Sequence, residues 1–432
     1  MSVTVHHGDM LEVLPTLGAR FHAVITDPPY HLASIVKRFG ADGAAAAKVG
    51  ATGAYARASK GFMGKQWDGG DIAFRPETWA AVGSVMLPGA HLVAFAGTKG
   101  AHRMACAIED AGFEIRDTLA WLYGSGFPKS HDVSKGIDKA AGAEREVIGP
   151  RPNVHSRGTH KLNEGWKRPW QDDPDAVMRS MSATAPATDA ARAWEGWGTA
   201  LKPAYEPIVL ARWPMDRKTV AANVLAHGTG AINVEACRIG ASKSVPASPR
   251  GPQDRIYGAY GSQTGTESGH NPNVGRWPAN VVHDGSEEVI AAFPGQAGAG
   301  GQARGRSREG LSESVARGKM NGTGPAAAPY HGDSGSAARF FYSAKADKGD
   351  RLDSKHPTVK PVDLMRWLVR LVTPKGGLVL DPFAGSGTTG MACMAEGFDC
   401  HLIEREAEYA ADIRRRIAHV SGADAPLFAS AE

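Results

Sequence analysis

Four consecutive residues near the N-terminus, Asp27-Pro28-Pro29-Tyr30, carry the groups needed to activate an amine on an aromatic base. Such an amine is a poor nucleophile because its lone pair is delocalised into the ring. The Asp27 carboxylate and a Pro28 carbonyl stiffened by the two prolines could accept both of its hydrogens and favour a nucleophilic nitrogen. Tyr30 offers a face for base stacking, worth about 1–3 kcal/mol. Taken alone, the tetrapeptide also suits an ordinary turn after a strand.

A glycine-rich turn near the C-terminus has the composition of a ligand-binding loop. Residues 381–389 read Asp-Pro-Phe-Ala-Gly-Ser-Gly-Thr-Thr and follow an apolar run at 378–380. Gly385 and Gly387 allow the backbone to approach a ligand closely, and the helix predicted next offers free N–H groups. The turn lacks the G-x-G-x-x-G spacing of dinucleotide sites and the lysine of phosphate loops, so a pyrophosphate or triphosphate ligand is disfavoured.

Two carboxylates at this turn suit a nucleoside-type cofactor with a sulfonium centre. Asp381 is placed to contact a cationic or amino group, such as the methionyl part, and Glu404 ends the next predicted strand, where a ribose binds in nucleoside sites. A helix-capping glycine turn is the alternative interpretation. The turn residues assigned to the cofactor site are Asp381, Pro382, Phe383, Ala384, Gly385, Ser386, Gly387 and Thr388.

Alternating strands and helices position both segments. Apolar runs predict strands at 22–26, 91–96, 118–123, 205–211, 377–380 and 400–403, and helical spacing predicts helices at 77–86, 102–111, 362–372 and 388–396. This alternation is typical of an α/β fold with a largely parallel sheet covered by helices on both faces. Because ligands of such sheets bind beyond the carboxyl ends of strands, both segments fall where chemistry is expected.

The middle of the chain, roughly residues 130–338, has a different composition, rich in Gly, Pro, Ser and Ala, with little periodicity. Its basic and aromatic residues could contact phosphates and bases, although scattered arginines usually lie on a solvated face and tryptophans in a core. The candidates are Lys161, Lys167, Arg168, Arg304, Arg306, Arg308, Arg317 and Lys319, with Trp166, Trp170, Trp194, Trp197 and Trp277. Lys60 and Lys65 are further candidates because their Gly-rich loop follows Tyr30.

Composition excludes several classes of protein. The 432 residues are 42% hydrophobic and 22% charged with a net charge of +4, which is ordinary for a soluble protein and compatible with nucleic-acid binding. The sequence contains no run of about 18 apolar residues, so it predicts no membrane span. The polar segment 1–10 does not resemble a signal peptide. The four cysteines have no zinc or disulfide spacing, so we expect no metal site and a cytoplasmic location.

The tetrapeptide at 27–30 and the Phe-x-Gly-x-Gly sequence at 383–387 together strongly resemble the DNA amino-methyltransferases. Their order, catalytic segment first and cofactor loop last, is that of the β group. Residues 7–10 resemble the family segment in which Asp9 contacts the adenine of the cofactor, and residues 356–361 resemble its HPT-x-KP motif. On this resemblance Asp9, Met10, Asp27 and Lys360 join the cofactor site. Residues 61–65, 124–130 and 201–207 resemble a subfamily common in phages and mobile elements.

The resemblance implies a fold and a domain organisation. The fold is a Rossmann-like sheet of S-adenosylmethionine-dependent methyltransferases, circularly permuted, with an inserted loop-rich region that recognises the target. Residues 1–130 would form the catalytic half, 131–340 the target-recognition insert, with the part near 201–213 returning to the main sheet, and 341–432 the cofactor-binding half.

The resemblance also implies the reaction, which is methyl transfer from S-adenosylmethionine to N6 of a flipped adenine in double-stranded DNA. A homodimer and a location with the nucleoid of a bacterial or phage-infected cell are compatible with it. Cytosine N4 is the first alternative target, although Asp27 rather than serine favours adenine; RNA, a protein amide or a non-enzymatic DNA-binding role are further alternatives. Cytosine C5 is disfavoured because its chemistry needs a thiolate, typically in a Pro-Cys pair, and no cysteine here follows proline.

Overall fold

A computed structural model describes the fold of the protein over residues 1–30, 71–126, 130–150, 182–239, 275–295, 336–344, 349–354, 356 and 358–421. The strands are β1 (Val3–His7), β2 (Phe21–Thr26), β3 (Met86–Phe95), β4 (Glu114–Leu122), β5 (Val147–Pro150), β6 (Ser182–Thr184), β7 (Tyr205–Arg212), β8 (Val281–His283), β9 (Tyr342–Ser343), β10 (Leu378–Asp381) and β11 (Asp399–Glu404). The α-helices are α1 (Met10–Val13), α2 (Pro76–Ser84), α3 (Ala101–Asp110), α4 (Val133–Ala140), α5 (Asp189–Ala193), α6 (Val220–His227), α7 (Glu287–Ala292), α8 (Val362–Val372), α9 (Thr388–Glu396) and α10 (Ala407–Ser421). Short 3-10 helices span Leu14–Thr16, Ile72–Phe74, Glu235–Cys237, Ala337–Phe340 and Gly349–Arg351.

One mixed sheet organises the described chain, in the order β1-β11-β10-β2-β3-β7-β4-β8-β9. Its pairs are parallel except that β7 runs antiparallel to both β3 and β4. The chain continues from β10 to β11 on one side and from β2 to β3 on the other. The crevice between β10 and β2 is therefore a topological switch point, where open α/β sheets bind their ligands.

Alternation along the strands produces a core on each face of the sheet. On one face, Ala23 and Ile25 of β2 pack with Leu364 and Leu368 of α8, and α9 and α10 contribute Cys393 and Ile413. On the other face, Val24 lies in a second cluster with residues of α2 and α3, including Trp79, Met104 and Ile108. Because β2 is covered on both faces, the loop that follows it leaves from a rigid, buried strand.

The predicted elements at the two ends of the chain are confirmed, with shifts of a few residues at most at the strand and helix ends. Helices α8 and α9 have the predicted limits, and the strand predicted at 205–211 is β7, inserted between β3 and β4. The α/β class and the largely parallel sheet are confirmed as well. The middle of the chain contains more regular structure than its composition indicated. Among its described residues it forms β5 to β8 and α4 to α7.

A small unit within the middle of the chain is built around a buried carboxylate. Asp138 of α4 accepts a hydrogen bond of 2.7 Å from Arg145 and one of 2.7 Å from the Thr188 hydroxyl that caps α5. Backbone N–H groups of Ala187 and Thr188 also reach it. Although burial opposes ionisation, these hydrogen bonds hold the pKa of Asp138 at about 2. Among the strands that the structure describes, β5 and β6 pair only with each other.

The domain boundaries after residues 130 and 340 remain a prediction. Strand β8 lies in the stretch assigned to the insert, yet it pairs with β4 in the main sheet, as β7 does. No helix in the described ranges combines the length and the apolar character that a bilayer crossing requires.

Candidate active site

One cavity of about 520 Å³ opens at the carboxyl ends of β2, β10 and β11. Both segments singled out in the sequence line it, although they come from opposite ends of the chain. The predicted site residues that line the cavity are Asp9, Met10, Asp27, Pro28, Pro29, Tyr30, Lys360, Asp381, Pro382, Phe383, Ala384, Gly385, Ser386, Thr388 and Glu404. Gly387 is not part of the lining. The roles assigned to these residues remain predictions, but their spatial convergence is a feature of the structure.

Asp381, at the end of β10, anchors the glycine-rich turn. Its side chain accepts hydrogen bonds from the hydroxyls of Thr26 (2.7 Å) and Thr389 (2.5 Å) and from the backbone N–H of Phe383 (3.0 Å). Burial raises the pKa of Asp381 to about 6, although these hydrogen bonds oppose the rise. Because Thr26 ends β2 and Asp381 ends β10, this carboxylate ties the two strands together directly.

The two glycines of the turn have left-handed backbone conformations. Gly385 has a φ of +52°, and a Cβ there would lie 3.2 Å from Nε2 of His356. Gly387 has a φ of +74°, and a Cβ there would lie only 2.7 Å from Cγ2 of Ile413. Gly387 is also the N-terminal cap of α9. Gly385 therefore shapes the cavity wall, whereas Gly387 allows the turn to pack against α10.

Glu404, at the end of β11, is held by two backbone donors. The N–H of Gly385 reaches its Oε2 at 2.8 Å, and the N–H of Glu406 reaches its Oε1 at 2.8 Å. Burial raises the pKa of Glu404 to about 7, against the effect of these two hydrogen bonds. Each carboxylate oxygen accepts more than one hydrogen bond, so Glu404 keeps acceptor capacity for a ligand hydroxyl.

The N-terminal segment closes the cavity beside Glu404. Gly8 donates its N–H to the Glu404 carbonyl at 3.0 Å, which extends the pairing of β1 with β11. Asp9 caps α1 by accepting the N–H of Leu11 at 2.9 Å, and Met10 is buried. The segment at 7–10 therefore lies beside β11, and the contact of Asp9 with the adenine of the cofactor stays a prediction.

The tetrapeptide at 27–30 belongs to a partly buried cluster of charges. The Tyr30 hydroxyl donates to Asp27 Oδ1 at 2.6 Å and also contacts Glu206. The Lys360 ammonium lies 3.2 Å from Asp27 Oδ2, 2.9 Å from Glu206 Oε1 and 3.0 Å from the Tyr30 hydroxyl. The four side chains come from three distant parts of the chain, and they converge because β2 and β7 both flank β3.

The cluster fixes the protonation states of its central members. Burial would lower the pKa of Lys360, but the carboxylates of Asp27 and Glu206 more than offset it and raise that pKa, so the ammonium stays charged. Burial, followed by the same two carboxylates, raises the pKa of Tyr30 well above its ordinary value, so the hydroxyl keeps its proton. The ammonium also lies over aromatic rings, 4.6 Å from the centroid of Phe95 and 5.5 Å from that of Tyr30.

Several cavity residues were missed in the sequence. Glu206 lies in the segment 201–207 that resembles the phage and mobile-element subfamily, but the sequence did not assign it a function. Its position directly before Pro207 in a predicted strand was the only signal. His356 belongs to the HPT-x-KP segment and lines the cavity. Its ring packs edge-on against Tyr409 with centroids 4.6 Å apart. Asp71 and Arg75 also line the cavity and belong to no motif.

The residues predicted to contact nucleic acid are only partly described. Trp194 and Trp197 are exposed and pack edge-on with ring centroids 4.9 Å apart, and Trp277 is exposed with the Arg238 guanidinium 5.4 Å from its ring. These three tryptophans are therefore not core residues. The other candidates lie outside the described residues, namely Lys60, Lys65, Lys161, Trp166, Lys167, Arg168, Trp170, Arg304, Arg306, Arg308, Arg317 and Lys319.

The C-terminal part of the chain matches a known family model. Residues 277–415 match the family model described as DNA methylase. The match includes Lys360, the glycine-rich turn and Glu404, whereas the tetrapeptide at 27–30 lies outside it. The family match therefore does not bear on the tetrapeptide, and the role proposed for it is supported by the geometry of the cavity alone.

Individual relatives match over short stretches. The Type II methyltransferase M2.MboI of Moraxella bovis is 40% identical over 67 residues, which is 16% of this chain and 24% of the relative. The DNA adenine methyltransferase YhdJ of Escherichia coli K12 is 44% identical over 54 residues, 12% of this chain and 18% of the relative. The chain thus spans about a quarter or less of these relatives.

Among solved structures, the putative DNA modification methylase TTHA0409 of Thermus thermophilus is 14% identical with a TM-score of 0.37, over 99% of this chain and 97% of that one. A second, the PvuII DNA methyltransferase, cytosine-N4-specific, is 12% identical with a TM-score of 0.39, over 98% of this chain and 92% of that one. Residues 277–415 are therefore similar to the DNA amino-methyltransferases of adenine N6 and cytosine N4, and the short match to a Type II methyltransferase supports the same family.

Proposed function

We propose that the protein is a site-specific DNA methyltransferase that moves a methyl group from S-adenosylmethionine to N6 of an adenine flipped out of the duplex. The observation that carries this proposal is that Asp27–Tyr30 and the glycine-rich turn line the same cavity of about 520 Å³. If the amine-activating segment and the nucleoside-binding turn lay in separate cavities, a methyl group could not pass from the cofactor to the amine. Here they occupy the ends of the adjacent strands β2 and β10.

The residues present fit S-adenosylmethionine. Acidic side chains outnumber basic ones in the cavity lining, which suits a cofactor with a sulfonium and an ammonium charge. The acidic residues are Asp9, Asp27, Asp71, Glu206, Asp381, Glu404 and Glu406, and the basic ones are Arg75, Lys360 and Arg405. Glu404 would accept the ribose hydroxyls, Asp9 would contact the adenine and Asp381 the amino group, which supports the assignments made from the sequence.

The chain contributes orientation and acceptors to the reaction. When bound, the cofactor supplies a methyl group on sulfur that is already activated for transfer. Asp27 would accept one hydrogen of the target amine and the Pro28 carbonyl the other, while Tyr30 stacks on the base. Holding the two reactants in line supplies much of the rate enhancement. Asp27 need not be a strong base, because the amine becomes acidic as it is methylated and its proton leaves to water.

Double-stranded DNA is the proposed partner, since the target amine is inaccessible inside a duplex and the base must be flipped at an expense of a few kcal/mol. The exposed Trp194, Trp197 and Trp277 support a nucleic-acid surface, and aromatic rings beside arginines such as Arg238 are suited to stack on bases. Adenine is proposed over cytosine because the first residue of the tetrapeptide is Asp27 rather than serine.

The test is to incubate the protein with mixed-sequence duplex and S-adenosylmethionine labelled on the methyl group, digest the DNA, and identify the modified nucleoside by mass spectrometry. We expect N6-methyl-2′-deoxyadenosine with the wild type. We expect a loss of at least about a thousandfold with Asp27→Ala, while that variant keeps its cofactor affinity. Label in N4-methylcytosine would correct the target base, and an Asp27→Ala variant as active as the wild type would refute the proposed mechanism.

A further inference from the structure

Glu206 brings a second carboxylate to the catalytic tetrapeptide. It lies on β7, where it pairs in register with Trp121 of β4, and its side chain is only 12% exposed. It contacts the Tyr30 hydroxyl, and its Oε1 lies 2.9 Å from the Lys360 ammonium. The mechanism above uses Asp27 and Tyr30 but leaves this carboxylate without a task. Because Glu206 is largely buried and lies within reach of both partners of Asp27, we expect it to have a role in the site.

Both oxygens of Asp27 are engaged in the absence of a base. Oδ1 accepts the Tyr30 hydroxyl at 2.6 Å, and Oδ2 lies 3.2 Å from the Lys360 ammonium. A carboxylate already paired with two donors is a weaker acceptor for a target amine. The tyrosine hydroxyl has a single proton and donates to one carboxylate at a time, so Asp27 and Glu206 compete for it.

We propose that Glu206 is a positioning residue that takes over the Tyr30 hydroxyl and the Lys360 ammonium when Asp27 accepts the target amine. The inference rests on the proposed function and deepens it. No covalent bond forms or breaks in this exchange. One hydrogen bond moves from Asp27 Oδ1 to Glu206 Oε1, and Lys360 keeps a charged partner in a buried site, where an unpaired charge is strongly disfavoured.

The exchange predicts a specific non-additivity between Glu206 and Tyr30. In Glu206→Gln the amide oxygen is a weaker acceptor than a carboxylate, so the hydroxyl stays on Asp27, and we expect the single-turnover rate of DNA methylation to fall about tenfold or more. In Tyr30→Phe the ring remains for stacking and no hydroxyl has to move, so we expect a change within about threefold. In the double variant no hydroxyl is left to hold Asp27, although Lys360 still lacks its second carboxylate, so the rate should recover part of the way towards that of Tyr30→Phe.

The experiment measures single-turnover rates at saturating cofactor and duplex for the wild type, both single variants and the double variant. Cofactor affinity and melting temperature show that each variant is folded. The control is Glu288→Gln, an exposed carboxylate that also pairs with a lysine, Lys202, and it should leave the rate unchanged.

Two results would overturn the inference alone. One is a double variant whose loss equals the product of the two single losses, which is the pattern of a purely structural role. The other is a loss greater than about tenfold in Tyr30→Phe, which would show that the hydroxyl itself assists the reaction. This second result can be read even if Glu206→Gln does not fold. A wild type that yields no methylated base would refute the proposed function and the inference together.

Discussion

At the scale of single residues, the site contains two kinds of carboxylate, one held by uncharged hydrogen-bond donors and one paired with an ammonium group. Asp381 and Glu404 are buried with hydrogen-bond donors of the protein, and among the described residues neither forms an ion pair with a basic side chain; their pKa values rise to about 6 and about 7. Glu206, by contrast, is paired with the ammonium of Lys360. Asp381 and Glu404 therefore keep acceptor capacity that no basic side chain of the described residues takes up, whereas Glu206 is matched to a cation of the protein itself.

The raised pKa of Glu404 makes the stability of the ligand-free protein depend on pH. Between its ordinary value of 4.5 and about 7, the carboxyl is protonated in the folded protein and ionised in the unfolded chain. The folded state then binds more protons, so the free energy of unfolding falls as pH rises through this window. We expect a fall on the order of 1–3 kcal/mol attributable to Glu404 between pH 5 and pH 8, measured by urea unfolding.

Glu404→Gln should flatten this dependence, because glutamine does not titrate. The variant will be less stable throughout, since its amide NH2 cannot accept the second backbone N–H, and the slope with pH is therefore the informative quantity. The exposed Glu77→Gln is the matched control and should keep the wild-type slope. An unchanged slope in Glu404→Gln would contradict the assignment.

At the scale of elements, the glycine-rich turn is held between β10 and α9 by packing against α10. Gly387 and Gly376 both have a φ of +74°, but their surroundings differ. A Cβ at Gly387 would lie 2.7 Å from Ile413, whereas a Cβ at Gly376 meets nothing within 4 Å. Substitutions at Gly376 and Gly387 therefore share the same backbone strain, and only those at Gly387 add steric overlap.

Replacing each glycine with alanine should therefore have unequal effects. Gly376→Ala adds only the left-handed conformation of a non-glycine residue, about 1 kcal/mol. Gly387→Ala adds overlap with Ile413 and should lower the free energy of unfolding by roughly a further 1–3 kcal/mol. Urea unfolding measures both, and we also expect weaker cofactor binding in Gly387→Ala alone. Equal losses in the two variants would show that the turn does not depend on its packing against α10.

At the scale of the whole molecule, strands from the two ends of the chain lie side by side in one sheet. The order β1-β11-β10-β2 places the cofactor strands between two N-terminal strands. The cavity is consequently built by both ends of the chain, with Asp9 and Asp27 from one and Asp381 and Glu404 from the other.

This interleaving predicts the behaviour of a chain split at residue 315, which lies outside every strand and helix given above. The fragment 316–432 contains the whole glycine-rich turn and Glu404, yet it should not bind S-adenosylmethionine, because β10 and β11 each lose a parallel neighbour. Co-expression with fragment 1–315 should restore binding, measured by calorimetry. Full affinity in fragment 316–432 alone would contradict the interleaved architecture.

Much of the fold and of the site follows from the sequence, for identifiable reasons. Apolar runs ending in Asp27 and Asp381 mark strands followed by functional turns, so the convergence of the two segments is predictable from the rule that ligands bind at carboxyl strand ends. Glu206 is not predictable in this way, because its place beside Asp27 depends on β7 entering the sheet next to β3. Apart from β7, the described elements of the middle of the chain were missed since they are short and only weakly periodic.

The central claim, that one cleft holds the amine-activating tetrapeptide and the methyl donor, is tested most directly by a crystal structure of the protein with S-adenosylmethionine. We predict the ribose at Glu404, the adenine near Asp9, and the methyl carbon facing the Asp27 carboxylate and the Tyr30 ring. A cofactor bound elsewhere, or bound with its methyl group turned away from Asp27, would contradict the account.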